Sequence, residues 1–162
     1  MCVRTSQSKS IILFVNQYKE NEMKKLPLAI VLSGFVGAML FGADVVIQHS
    51  ELPQKAQQFI KSNFAKNAIL LAEKSFDEYD VKLADEVEVE FTQDGEWRAV
   101  KSYRPLANVG FVPKKVLDTV KSKYPQASVM KVEKEWKSYE IGLDNHKKLI
   151  IDENGTLIAE KM

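Results

Sequence analysis

Cysteine is almost absent from this chain: there is one, Cys2. A single thiol cannot close an internal disulfide, and its position leaves everything downstream without nucleophilic cysteine chemistry or a thiolate metal site. It also excludes a lipobox, which needs cysteine after an apolar stretch. Histidine is nearly as scarce. His49 and His146 lie far apart in sequence, whereas a zinc site gathers three or four strong ligands at close quarters. Both read as solvated side chains, and no metal site is expected. No Gly-rich phosphate cradle and no GxSxG elbow occurs. Without a convergent set of titrating groups, neither enzymatic activity nor a cofactor is expected. The formal charge of +1 gives no warrant for a nucleic-acid partner.

Long apolar runs are also missing, with one exception. Met23-Lys24-Lys25 precedes LPLAIVLSGFVGAML, the basic start, apolar stretch and small residues of a Sec signal peptide. The reading is a leader over residues 1–43, with cleavage after Ala43 or, failing that, after Ala38. Translation is expected to begin at Met23. The competing reading is an uncleaved anchor, since Leu26 to Ala43 approaches the lower length for a span. The expected location is therefore periplasmic or secreted, with membrane contact only through an uncleaved leader.

What the remainder does have is self-similarity. Shifted by 60 residues without a gap, Pro53 falls on Pro113, Lys61-Ser62 on Lys121-Ser122, and Glu73-Lys74 on Glu133-Lys134. Tyr79 meets Tyr139, Leu83 meets Leu143, Gly95 meets Gly155 and Ala99 meets Ala159. One offset held across about 50 positions points to a supersecondary unit used twice. The expected domain spans residues 44–162 and is built from repeats 50–101 and 110–162. Each repeat is too small to bury enough surface alone, so a joint core is expected.

Each repeat opens with an amphipathic helix. Leu52, Ala56, Phe59, Ile60 and Phe64 share one face of the first, as Val112, Val116, Leu117, Val120 and Tyr124 do in the second. Ser50 is the expected N-cap of the first helix, with Pro53 in its first turn. Strands are expected at 69–74, 78–83, 86–92 and 97–101, then at 129–135, 138–143, 147–152 and 156–160. The clearest alternation puts Val87, Val89 and Phe91 inward and Glu88 and Glu90 outward. Asp94-Gly95 and Asn154-Gly155 read as two-residue hairpin turns with positive φ at both central residues. Parity places Phe76, Trp97 and Trp136 toward the core, with Leu70, Ala72 and Ala99 beside them. The fold class is α+β: tandem helix-plus-antiparallel-meander units forming one sheet, with two helices packed on one face.

The passages "LPQKAQQFIKSNF" and "VPKKVLDTVKSKYPQASVMKVEKE", the strands "YDVKL" and "YEIGL", and the hairpins "FTQDGEW" and "IDENGTL" together resemble the PepSY-like, or β-lactamase-inhibitor-like, exported proteins. The resemblance covers the chain from Ser50 onward and rests on structural motifs. It implies a periplasmic or cell-surface, non-enzymatic binding role, with inhibition of peptidases or β-lactamases suggested for relatives.

Charge divides unevenly between the repeats. Residues 44–100 carry 12 acidic and 6 basic side chains, and residues 101–162 carry 8 acidic and 12 basic. Such asymmetry orients partners, and it favours at most weak head-to-tail self-association. The outer sheet face is expected to show Asp80, Glu88, Glu90 and Arg98 from the first repeat and Glu140, Lys148, Ile150 and Ile158 from the second. Ile150 and Ile158 break the polar rule of that face and would form a small contact patch. If Trp136 is exposed it becomes an anchor residue instead of a core one. The reading is an exported, non-catalytic module that holds a protein or peptide of the cell envelope on its open sheet face. The alternative is an envelope sensor for a small ligand or ion, bound between helices and sheet.

Overall fold

The computed structural model describes residues 44–162. The leader, its start at Met23 and its cleavage sites lie outside the described residues. Nine strands form one antiparallel sheet in sequence order. They are β1 (Val45–Val46), β2 (Ile69–Lys74), β3 (Glu78–Leu83), β4 (Val87–Thr92), β5 (Trp97–Ser102), β6 (Val129–Glu135), β7 (Ser138–Leu143), β8 (Lys148–Asp152) and β9 (Leu157–Lys161). Helix α1 (Gln54–Asn63) precedes β2, and α2 (Lys114–Lys123) precedes β6. Among the described residues no helix is long and apolar enough to cross a membrane.

The two helices and the four strands that follow each of them recur at the expected spacing. Helix bounds differ by 60 residues, and so do the register shifts, at Ile69/Leu71 and Val129/Lys131 and again at Glu90/Phe91 and Ile150/Ile151. Both halves therefore bend their sheets at equivalent places. Strand β1 was not expected. It is a two-residue edge strand on β2, followed by a single 3₁₀ turn at His49–Glu51.

That turn occupies the segment where Ser50 was expected to cap α1. The cap residue is instead Pro53, and in α2 it is Pro113. Both are extended, and each carbonyl accepts a hydrogen bond from the amide four residues on. Proline has no amide to leave unpaired at a helix start, which suits the position. Ten-residue helices are marginal in isolation; burial of Ala56 and Ile60, or of Val116 and Val120, holds these on the sheet.

One register row runs through the core from β2 to β8: Ala72, Val81, Val89, Val100, Val132, Ile141 and Leu149, all buried. Burying a side chain of this size contributes about 1.5–3 kcal/mol. The core forms two clusters, one under each helix, and Trp97, Leu106 and Phe111 pack against both. Trp97 stacks on Phe59 and on Tyr139, at centroid distances of 5.7 and 6.3 Å, so it joins the halves.

Four residues depart from the alternation, Phe76, Trp136 and Leu70 by exposure and Ala99, though buried, by face, each for a local reason. Phe76 and Trp136 are 89% and 87% exposed. They sit at hairpin tips, beyond the last pairs Lys74↔Tyr79 and Glu135↔Ser138, where strand parity no longer aims a side chain. Leu70 lies at the β2 shift and is also exposed. In β5 the bulge at Arg98 inverts parity, so that Val100 enters the core while Ala99, paired with Glu90 and Glu133, lies on the opposite face.

The hairpin turns differ from expectation too. In the Asp94-Gly95 and Asn154-Gly155 turns the glycines alone take positive φ, at 81° and 91°; Asp94 and Asn154 do not. Gly95 N–H donates to Thr92 O, and Gly155 N–H to Asp152 O. These are type I turns closed by a left-handed glycine, the longer hairpin connection that brings a bulge with it. The glycines also press on the helix starts. A Cβ at Gly95 would lie 2.6 Å from Pro53 Cβ, and one at Gly155 2.8 Å from the Lys115 carbonyl oxygen.

Candidate functional site: the open face of the sheet

With both helices and the core row on one side, the residues of opposite parity form a face that nothing covers among the described residues. Two adjacent register rows dominate it. One reads Glu73, Asp80, Glu90, Ala99, Glu133, Glu140, Ile150, Ala159. The next, two residues along each strand, reads Leu71, Lys82, Glu88, Lys101, Lys131, Gly142, Lys148, Lys161. A stripe of carboxylates thus lies against a stripe of lysines. Neighbours on one strand face stand about 7 Å apart, within reach of long side chains across the gap.

The stripes neutralise each other pair by pair. Lys82 lies 3.5 Å from Glu73, Lys101 2.7 Å from Glu90, Lys131 2.5 Å from Glu133 and Lys148 3.7 Å from Glu140. Arg98, thrown outward by its bulge, donates to Glu78 and also to Glu90 at 3.0 Å. Glu90 therefore accepts two cations. Its partial burial raises its pKa, but hydrogen bonds from Lys101 and Arg98 outweigh that and leave it below the ordinary carboxylate value. Each partly exposed pair of this kind adds little stability. What the lattice does is hold charged side chains in fixed positions.

The pattern breaks at one point. Glu88 is an acid in the lysine row, beside Asp80 and Glu90 of the acid row. Ligand oxygens of these three carboxylates lie within 4.8 Å of one another. Asp80 has no ion-pair partner among the described residues. Burial, then the charges of Glu78, Glu90 and Glu88, push its pKa up to about 6. This is the place on the face with a surplus of negative charge and oxygen donors, the chemistry that suits a hard divalent cation.

The structure places all eight expected face residues on this side, but not together. Asp80, Glu88, Glu90 and Arg98 converge around Glu90. Glu140 and Lys148 form a separate pair in the other half, with Ile150 next to Glu140 in register. Ile158 stands at the β9 bulge, equivalent to Arg98, and is 60% exposed, while Ile150 is half-buried. Trp136 is on a hairpin tip away from these rows. Sequence reasoning did not select Glu78, Lys82, Lys101, Lys131 or Glu133, which complete the lattice. Parity alone would have found Glu78, Lys82, Lys131 and Glu133; Lys101 required the β5 bulge. His49 and His146 are both exposed, as expected.

No curated protein matches this chain. Among solved structures, a Bacteroides thetaiotaomicron protein described as a "putative calcium-regulated periplasmic protein" is 33% identical, with a TM-score of 0.69 over 74% of this chain and 97% of that one. A "putative periplasmic protein" of Bacteroides vulgatus is 32% identical, with a TM-score of 0.66 over 74% and 97%. A second protein of that organism, described as periplasmic and "of unknown function", is 26% identical, with a TM-score of 0.67 over 74% and 100%. A family model described as "Putative beta-lactamase-inhibitor-like, PepSY-like" matches residues 77–159. With half of the chain inside that match, and with relatives that share its fold nearly end to end, the protein belongs to the PepSY-like, β-lactamase-inhibitor-like family.

Proposed function

We propose that this is an exported, non-catalytic binding module that holds a protein or peptide of the cell envelope on the open face of its sheet. One observation carries the reading. Among the described residues the sheet is covered on one side only, and the bare side presents an ordered lattice of charges with Ile150 and Ile158 at one end. An arrangement in which nearly every charge already has a partner suits recognition, where fixed charges select a complementary surface. It does not suit acid–base catalysis, which needs a group poised to exchange protons in an enclosed site. The periplasmic descriptions of the three relatives support export. The partner expected from this face brings cations to the Asp80 end and apolar contact to the Ile158 end.

Replacing Ile150 and Ile158 together by aspartate tests the reading. Recovery of the partner from periplasmic extract is expected to fall at least tenfold, with the circular dichroism spectrum unchanged. Undiminished recovery removes this surface from the account.

A second reading, that the face also responds to calcium, is favoured by the Asp80–Glu88–Glu90 cluster and by the calcium regulation named for the Bacteroides thetaiotaomicron relative. Three carboxylates offer up to six oxygens and water supplies the rest, which matches calcium's usual shell. Millimolar calcium is then expected to raise the melting temperature, because a ligand that binds only the native state stabilises it. The Asp80→Asn variant is expected to lose most of that rise. An equal rise in the variant assigns the effect to another site.

A further inference from the structure

On the helix side, at the β1 edge, the first half leaves a hollow of about 530 Å³. His49, Gln57, Ile60, Lys61, Phe64 and Ile69 line it, with Ala65 and Asn67 at its lower rim. Its size falls within the range of small-molecule sites. Its floor is apolar: Ile60 and Phe64 belong to the first core cluster, and Ile69 packs on it.

The second half shows what such a place looks like when filled. The positions 60 residues on include Leu117, Val120, Tyr124, Ala127 and Val129, all within the second cluster. The connector crosses this niche, where Leu106 packs on the cluster and its amide donates to Val129 O at 2.9 Å. By strand pairing β1 corresponds to β5, with Val46 opposite Glu73 as Ala99 is opposite Glu133, so the first half runs from Ile47 to Leu52 without a segment that corresponds to Leu106. The lining changes accordingly, with Gln57, Asn67 and His49 where the second half has Leu117, Ala127 and Val109. The first half therefore keeps the wall of this niche and lacks the apolar plug.

Two basic side chains, Lys61 and His49, stand at the mouth, with the acids Asp85 and Glu51 close by. Neither Lys61 nor His49 has a carboxylate partner among the described residues. The acids nearby are engaged: Asp85 accepts from Asn67 at 3.1 Å, and Glu51 from the Gln48 amide at 2.7 Å. Asn67 and Gln57 are likewise tied to backbone carbonyls, at Ala84 and Leu52.

We propose that this hollow binds a single-chain acyl carboxylate, such as a free medium-chain fatty acid. The chain would lie on Ile60, Phe64 and Ile69, where Leu106 lies in the other half, and the carboxylate would sit at Lys61 and His49. The site is on the opposite side of the sheet from the open face and does not depend on the reading given for it.

Isothermal titration of the protein with decanoate, decanol and decylamine, all below their micellar concentrations, tests this. Decanoate is expected to bind at one site, at least tenfold tighter than decylamine, with decanol between them. Ile69→Trp, which fills the hollow, is expected to weaken decanoate at least tenfold. Lys61→Glu, on an exposed position that folding does not need, is expected to reverse the order of decanoate and decylamine. Asp80→Asn on the other face is expected to leave both affinities unchanged. Absence of saturable decanoate binding overturns the proposal. So does equal affinity in wild type and Lys61→Glu, or binding to phosphatidylglycerol vesicles without binding to decanoate.

Discussion

At the scale of single residues, Asp80 is the group whose ionisation the fold opposes. Its ordinary value is 3.8, and the folded protein holds it at about 6. A carboxyl that binds its proton more tightly when folded favours the native state at low pH. That contribution is complete below the unfolded pKa and disappears as pH rises through the folded one. Above pH 6 the native state contains an ionised Asp80 facing Glu78, Glu88 and Glu90. Removing the charge should then help. Asp80→Asn is expected to stabilise the protein at pH 7.5 by on the order of 1 kcal/mol, a figure reduced for its partial exposure, and to change little at pH 4. Urea unfolding at the two pH values checks this, and an equal effect at both contradicts it. The sequence placed Asp80, Glu88 and Glu90 on one face by alternation alone. It did not show that Asp80 stands opposite Glu90 in register, because pairing depends on where each hairpin turns.

At the scale of elements, hairpin tops and helix starts form one unit in each half. Gly155 holds a φ of 91° and a Cβ there would collide with the Lys115 carbonyl, as one at Gly95, with φ 81°, would with Pro53. A side chain at either position meets both a disfavoured backbone region and an occupied space. Gly155→Ala and Gly95→Ala are each expected to cost about 2 kcal/mol, seen as a lower urea midpoint with an unchanged slope. A loss below about 0.5 kcal/mol in both would show that the helix start yields freely, as at ordinary surface sites. Elements were the most legible level of this sequence. Apolar spacing located all eight of the longer strands to within a residue at their ends, and both helices, the first of which starts three residues later than a Ser50 cap implies. Bulges were not legible, since one inserted residue leaves composition unchanged while inverting everything after it. That is why Ala99 and Val100 exchange faces, and why Leu70 turns outward. Phe76 and Trp136 illustrate the other limit: alternation orients side chains only while the strand remains paired.

At the scale of the whole molecule, the two sides of the sheet have different tasks. The helix side contains the joint core, with Trp97, Leu106 and Phe111 bridging its clusters. The other side has few apolar residues, Ala99 and Ile150 among them, and shows a lattice of paired charges, acid-rich toward β3 and β4 and lysine-rich toward β6 to β9. Chain-wide counts foresaw that asymmetry but not its division into two stripes. The nature of the partner was never legible, because these motifs specify backbone shape and a recognition surface leaves no signature in spacing. The most direct test of the open face is site-specific photo-crosslinking in the native envelope. It would use p-benzoylphenylalanine in place of Lys148 on the bare side, and of Gln58 or Lys121 on the outer helix surfaces. Discrete adducts from position 148 alone are the expected result. Adducts from positions 58 or 121 with none from 148 would contradict it.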